Sequence, residues 1–208
     1  MSEQISDDLK SELLCIADSN WVLGHWYVIC MLNGRELTDF TSIAGIAEEK
    51  LGHTRALLRY LEEDLELPEL QLEFGRGADQ IHSLQSLDDS PVNWADFIVT
   101  LFLADAAIWR FSSTFKDGSH PVISNLVKKF GEECYFHQLC INGWLQGFSE
   151  EELKQAKEAL LKRLPLTLNW FGQEDDARDD ALLKEGIRSK SVWVARGEFV
   201  EDVLNKLA

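Results

Sequence analysis

The stretch Ile43–Leu61, IAGIAEEKLGHTRALLRYL, decides the fold and raises the question of function. At about 100° of rotation per residue, Ile43, Ile46, Ala47, Leu57 and Leu61 fall on one helix face, and Lys50 points along its centre. Three other predicted helices carry polar residues at comparable points. Asp18 and His25 stand among Leu14, Trp21, Val28 and Leu32, and Asp105 among Ile98, Leu101, Phe102, Ile108 and Trp109. His137 and Cys134 stand among Ile123, Leu126, Phe130 and Ile141. An ionisable group in a helical core is costly unless it is paired or bound to metal. Four helices each carrying such a group predict one shared polar centre.

Helical periodicity continues on both sides of this stretch, and no alternating strand pattern appears. The first helix is predicted from Ser6 or Asp7 to Leu32, stopping at Asn33-Gly34. The second begins near Thr38 or Asp39 and runs to about Asp64, with Pro68 beyond it. Glu69 to Pro91 reads as a long connection with a short helical turn; within it, Gly75-Arg76-Gly77 is only a turn signal. A third helix is expected from about Val92 to Phe115, and a fourth, capped by Ser119 with Pro121 in its first turn, to about Leu145. Ser149-Glu150-Glu151-Glu152 is a capping box for a fifth helix that Pro165 limits. A short helix at Asp179–Glu185 and an amphipathic one at Val194–Leu207 follow. Two long helices, a long crossover and two more long helices are the layout of an all-α, ferritin-like four-helix bundle with extra C-terminal helices. The expected organisation is one domain over 1–208, with a core bundle at about 6–146 and an extension at about 149–208.

The 208 residues suffice for a core that needs no staples. A net charge of −16 argues against nucleic acid and anionic membranes as partners. Acidic clusters at Glu62–Glu66 and Glu174–Asp180 read as solvated loops and helix ends, or as a docking patch for a basic partner. Cys15, Cys30, Cys134 and Cys140 lack C-x-x-C spacing and are expected as reduced, buried thiols. The opening MSEQISDDLK has no apolar signal region, so a soluble, cytoplasmic protein is expected. Trp21, Trp26 and Tyr27 exceed what one core face needs; they serve an interface or pack under the crossover.

A dinuclear iron bundle takes one carboxylate from each of two helices and a Glu-x-x-His pair from each of the others. Asp18 and Asp105 match the lone carboxylates, and His53 and His137 the histidines. The glutamates are displaced: Glu49 and Glu133 stand four residues before their histidines, and Lys50 and Cys134 occupy the positions three before. An ammonium at Lys50 repels a metal and satisfies leftover carboxylates. The leading reading is a degenerate metal site in which Lys50 pairs with Asp18, Asp105 or both. Two alternatives stand beside it. One is a working diiron or dimanganese oxidoreductase acting on dioxygen, with Asp18, Glu49, His53, Asp105, Glu133 and His137 as ligands. The other is a scatter of polar groups facing water. His25, by itself, reads as a satisfied core histidine, and His82 and His120 carry no signal.

Several of these stretches resemble a known family. Ala17-Asp18, Val22-Leu23-Gly24-His25 and Leu51-Gly52-His53-Thr54-Arg55 resemble the non-catalytic C subunit of the bacterial phenylacetyl-CoA epoxidase, a multicomponent oxygenase of phenylacetate catabolism. Asn93-Trp94-Ala95-Asp96-Phe97, Phe102-Leu103-Ala104-Asp105, Glu133 to His137, Trp170-Phe171 and Glu185-Gly186-Ile187 extend the resemblance over nearly the whole chain. It implies a ferritin-like subunit that binds no iron and buttresses a homologous catalytic subunit. That partner carries the diiron centre and epoxidises the ring of an aryl-CoA thioester with dioxygen. A separate flavin and iron–sulfur reductase supplies its electrons. In the catalytic relative, glutamate stands where this chain has Lys50 and Cys134. His53 departs from the C-subunit pattern, where Gln is usual, and leaves open a paralogue for another aromatic substrate or a homodimer.

Overall fold

The computed structural model describes residues 6–174 and 176–207, and all regular structure among them is helical. The order is α1 (Asp7–Cys30), α2 (Leu37–Asp64), α3 (Gln71–Phe74), α4 (Trp94–Ser112), α5 (Pro121–Gln146), α6 (Glu150–Trp170), α7 (Ala177–Lys184) and α8 (Val192–Leu207). This is the element set of a ferritin-like helical bundle with extra helices. Contacts gather the chain into two compact units, Met1–Ser83 and Leu84–Ala208.

The first unit is an α1–α2 hairpin with α3 beside it. Ser6 caps α1 by accepting the Leu9 N–H. The helices are antiparallel: the Thr54 hydroxyl donates to the Ala17 carbonyl at 3.2 Å, and Gly24 lies against Leu51 and Lys50. A Cβ at Gly24 would sit 3.0 Å from the Leu51 side chain, so the glycine permits this approach. The buried face of α1 is Leu9, Leu13, Ile16, Ala17, Leu23 and Tyr27. This corrects the predicted stripe. Leu14 and Trp21 are half-buried, and Val28 and Leu32 are exposed. On α2 the expected face holds, with Ile43, Ile46, Ala47, Leu57 and Leu61 buried. Glu62 accepts from the Leu70 and Leu72 N–H groups at 3.0 and 2.7 Å, tying the start of the crossover to α2.

In the second unit α4 is the central element, buried from Ala95 to Ile108. It is long and apolar enough to cross a membrane, yet 89% of its most apolar stretch is buried, as in a core helix. Asn93 caps it through the Asp96 N–H, and α5, α6 and α8 pack along it. Arg163 of α6, 1% exposed, donates to the Asp96 carboxylate at 2.6 and 3.1 Å and to the carbonyls of Ser86 and Asp89. Burial pushes the Asp96 carboxyl up, but the Arg163 bonds, the Val92 N–H and the Arg163 charge together leave it below its ordinary value.

Two boundaries differ from expectation. His120, not Ser119, occupies the cap position of α5; the Ser119 N–H instead donates to the Gly186 carbonyl. Pro165 lies inside α6 and does not limit it. Both Pro165 and Leu161, four residues earlier, face solvent, where water satisfies the carbonyl that proline leaves without a donor. Of the cysteines only Cys134 is buried; Cys15, Cys30 and Cys140 are half-buried.

Candidate functional site

In the first unit Asp18, Lys50 and His53 are buried, at 0%, 0% and 3% exposure. Lys50 and His53 come from successive turns of α2, the ammonium lying where a Glu-x-x-His pair places its carboxylate. Thr54, which also donates to the Lys50 carbonyl, pins α2 to α1 beside Asp18. Glu49 stands at the half-buried edge, as its offset implied.

The Asp18 carboxylate is held by Arg76. Nη2 donates to Oδ1 at 2.5 Å and Nη1 to Oδ2 at 3.0 Å, and the His82 backbone N–H donates to Oδ2 at 2.9 Å. The guanidinium is itself fixed by the carbonyls of Leu72 and Gln80. The expected Lys50 pairing is therefore corrected for Asp18, whose cation is Arg76. Sequence reading took Arg76 for part of a turn. Its only signal was a lone arginine between two glycines, and nothing in a linear pattern relates it to an aspartate 58 residues earlier. His25 is likewise corrected: it is exposed, with Nδ1 2.8 Å from the Trp21 carbonyl and its ring edge-on to that indole. Of the three aromatic residues in α1, Tyr27 is buried. Trp21 lines a cleft of about 520 Å³ with Leu51 and Phe74, beneath the first part of the crossover.

In the second unit Asp105 of α4 meets Cys134 and His137 of α5, all three buried, with one donor atom from each within 4.8 Å of the others. His137 Nδ1 is 3.3 Å from Asp105 Oδ1, and Gln138 donates through Nε2 to Oδ2 at 2.8 Å. Gln138 was not anticipated, because it lies beside the motif and not in it. Glu133 is half-buried and pairs with Lys129 at 3.8 Å, an ordinary helix-surface pair one turn apart. Each half of the sequence-predicted site thus assembles within its own unit. In both halves the interior position three before the histidine carries no carboxylate.

Chemically, the first half offers a carboxylate already bound to a fixed guanidinium and a buried ammonium. The second offers a mixed oxygen, sulfur and nitrogen set in place of two carboxylates and a histidine. No curated protein matches the chain. The profile of a family described as phenylacetic acid catabolic protein matches residues 1–208. On that match the chain belongs to the phenylacetic acid catabolic protein family, the ferritin-like family of phenylacetyl-CoA oxygenase subunits.

Proposed function

We propose that this chain is a non-catalytic structural subunit of a multicomponent aryl-CoA ring epoxidase in the cytoplasm, supporting a homologous subunit that carries the diiron centre. The observation that carries the reading is the Arg76 guanidinium on Asp18. A two-iron centre needs that carboxylate as an anionic ligand, and a bidentate arginine engages both of its oxygens in plane. Lys50, fully buried, stands at a position where the chemistry calls for glutamate and offers an amine in place of a carboxylate. The residues present do not fit two iron ions, and no step of dioxygen chemistry is assigned to them. Their role is to hold the polar positions of α1 and α2 fixed within the first unit and those of α4 and α5 fixed within the second.

A surface suited to a partner supports the same reading. Around the turn between α1 and α2, Ile29, Leu32 and Leu37 are 64%, 82% and 77% exposed, with Val28 and Phe40 beside them. Exposed apolar residues gathered around one turn are the composition expected of an interaction site. Co-expression with the homologous diiron subunit tests the role. The two chains are expected to co-elute at micromolar concentration, and the double change Leu32→Glu and Leu37→Glu to separate them. Separate elution of the unaltered chains refutes the proposal.

A further inference from the structure

The cleft of about 520 Å³ beneath the crossover lies wholly within the first unit, between α1, α2 and α3. Glu48, Leu51, Gly52 and Arg55 line it at i, i+3, i+4 and i+7, one face of α2, and Trp21 and His25 stand a turn apart on α1. Glu73 and Phe74 complete it from α3. Trp21, Leu51 and Phe74 give it apolar walls, and Phe74 is 70% exposed. Gly52 lies in open space, since a Cβ there would meet no atom within 4 Å. The polar groups of the lining are chiefly acceptors. His25 Nδ1 lies 2.8 Å from the Trp21 carbonyl, which can only accept, so Nδ1 carries the hydrogen and the neutral ring keeps Nε2 as an acceptor. Glu73 accepts from a single Arg55 nitrogen, at 3.1 and 3.3 Å, and keeps lone pairs to spare. The Glu48 carboxylate makes no hydrogen bond or ion pair among the described residues. Thr54 gives its hydroxyl to the Ala17 and Lys50 carbonyls, away from the cleft. The charge of Arg55 is matched by Glu73, which leaves that of Glu48 uncompensated.

We propose that this cleft binds a small organic cation, an aromatic body ending in an amidinium, guanidinium or ammonium group. The body lies against Trp21, Leu51 and Phe74, and the Glu48 carboxylate takes its N–H donors. Aromatic side chains add their own attraction for such a charge, and the volume is in the range of small-molecule sites. The site needs neither a metal nor the partner subunit, so it stands apart from the structural role proposed above.

Benzamidinium, benzamide and benzoate share one shape and differ in charge, and saturation-transfer NMR on the full chain at low salt compares them. Benzamidinium is expected to bind about tenfold more tightly than benzamide, and benzoate more weakly than either. Glu48→Gln, at an exposed position, should bring benzamidinium down to the level of benzamide. Gly52→Phe fills the open space from an exposed position on α2 and should abolish binding of all three. Circular dichroism melts check that each variant is folded. Four results overturn the proposal. They are no transfer from benzamidinium at millimolar concentration, benzamide or benzoate binding as tightly as benzamidinium, no loss in Glu48→Gln, and benzamidinium binding that survives Gly52→Phe. The last would mark diffuse attraction of a cation to the acidic surface.

Discussion

The Asp18–Arg76 pair is a strong interaction in the first half of the polar centre, since both partners are largely removed from water and the geometry is bidentate. Removing one member strands the other. Arg76→Met is expected to cost about 3–5 kcal/mol in urea denaturation, and adding Asp18→Asn to return part of that loss. Equal stability of Arg76→Met and the unaltered protein contradicts the assignment. Asp96 makes a pH prediction. Its folded pKa is lowered, so the stability it contributes is present above the ordinary carboxylate value of about 3.9 and is lost as pH falls through the lower folded value. Denaturation midpoints between pH 5 and pH 2 should therefore fall more steeply for the unaltered protein than for Asp96→Asn. At this scale the sequence was legible where a polar residue broke an apolar face: Lys50, His53, Asp105, Cys134 and His137 are all buried as their spacing implied. What it hid were partners remote along the chain, Arg76 for Asp18 and Arg163 for Asp96. His25 misled because an i+7 series from Leu14 to Val28 imitates a core stripe on a helix whose buried residues follow another line.

Among the elements, capping chemistry made the helix ends legible. The Ser149–Glu152 box caps α6 as expected, and Ser6 caps α1 at the expected start. Asn93, read as lying just inside a helix from about Val92, is instead the cap of α4. Pro165 was misread because a proline on the solvent side of a helix leaves its unpaired carbonyl to water, whereas periodicity alone cannot say which side it faces. The turn between α4 and α5 gives the sharpest test. A Cβ at Gly118 would fall within 2 Å of the Ile187 carbonyl oxygen, a backbone atom that cannot rotate away. The Ser119 and Ser189 N–H groups stitch the same turn to the 186–189 segment, through the carbonyls of Gly186 and Thr114. Gly118→Ala should cost about 1–3 kcal/mol as an overpacking change, read from the thermal midpoint. Gly45→Ala, in open space on α2, should be neutral or slightly stabilising by the same measurement. A harmless Gly118→Ala contradicts the packing described for this turn.

For the whole molecule, family membership and the helical architecture agree with the layout read from the sequence, while the proposed role rests on Arg76 and Lys50 standing where ligand chemistry calls for free carboxylates. The −16 charge bears on partners through its salt dependence: if the acidic surface guides docking, association with the diiron subunit slows as salt rises, and if it serves solubility alone, the rate is unchanged. Surface charge leaves no periodic trace, which is why the sequence could not choose between these. The central claim is that this member of the family has exchanged metal binding for ion pairing. Elemental analysis of the purified chain, produced in medium rich in iron and manganese, tests it most directly. The expected result is far less than one metal ion per chain, unchanged by His53→Ala or His137→Ala. Close to two iron or manganese ions per chain, lost in either variant, would contradict it.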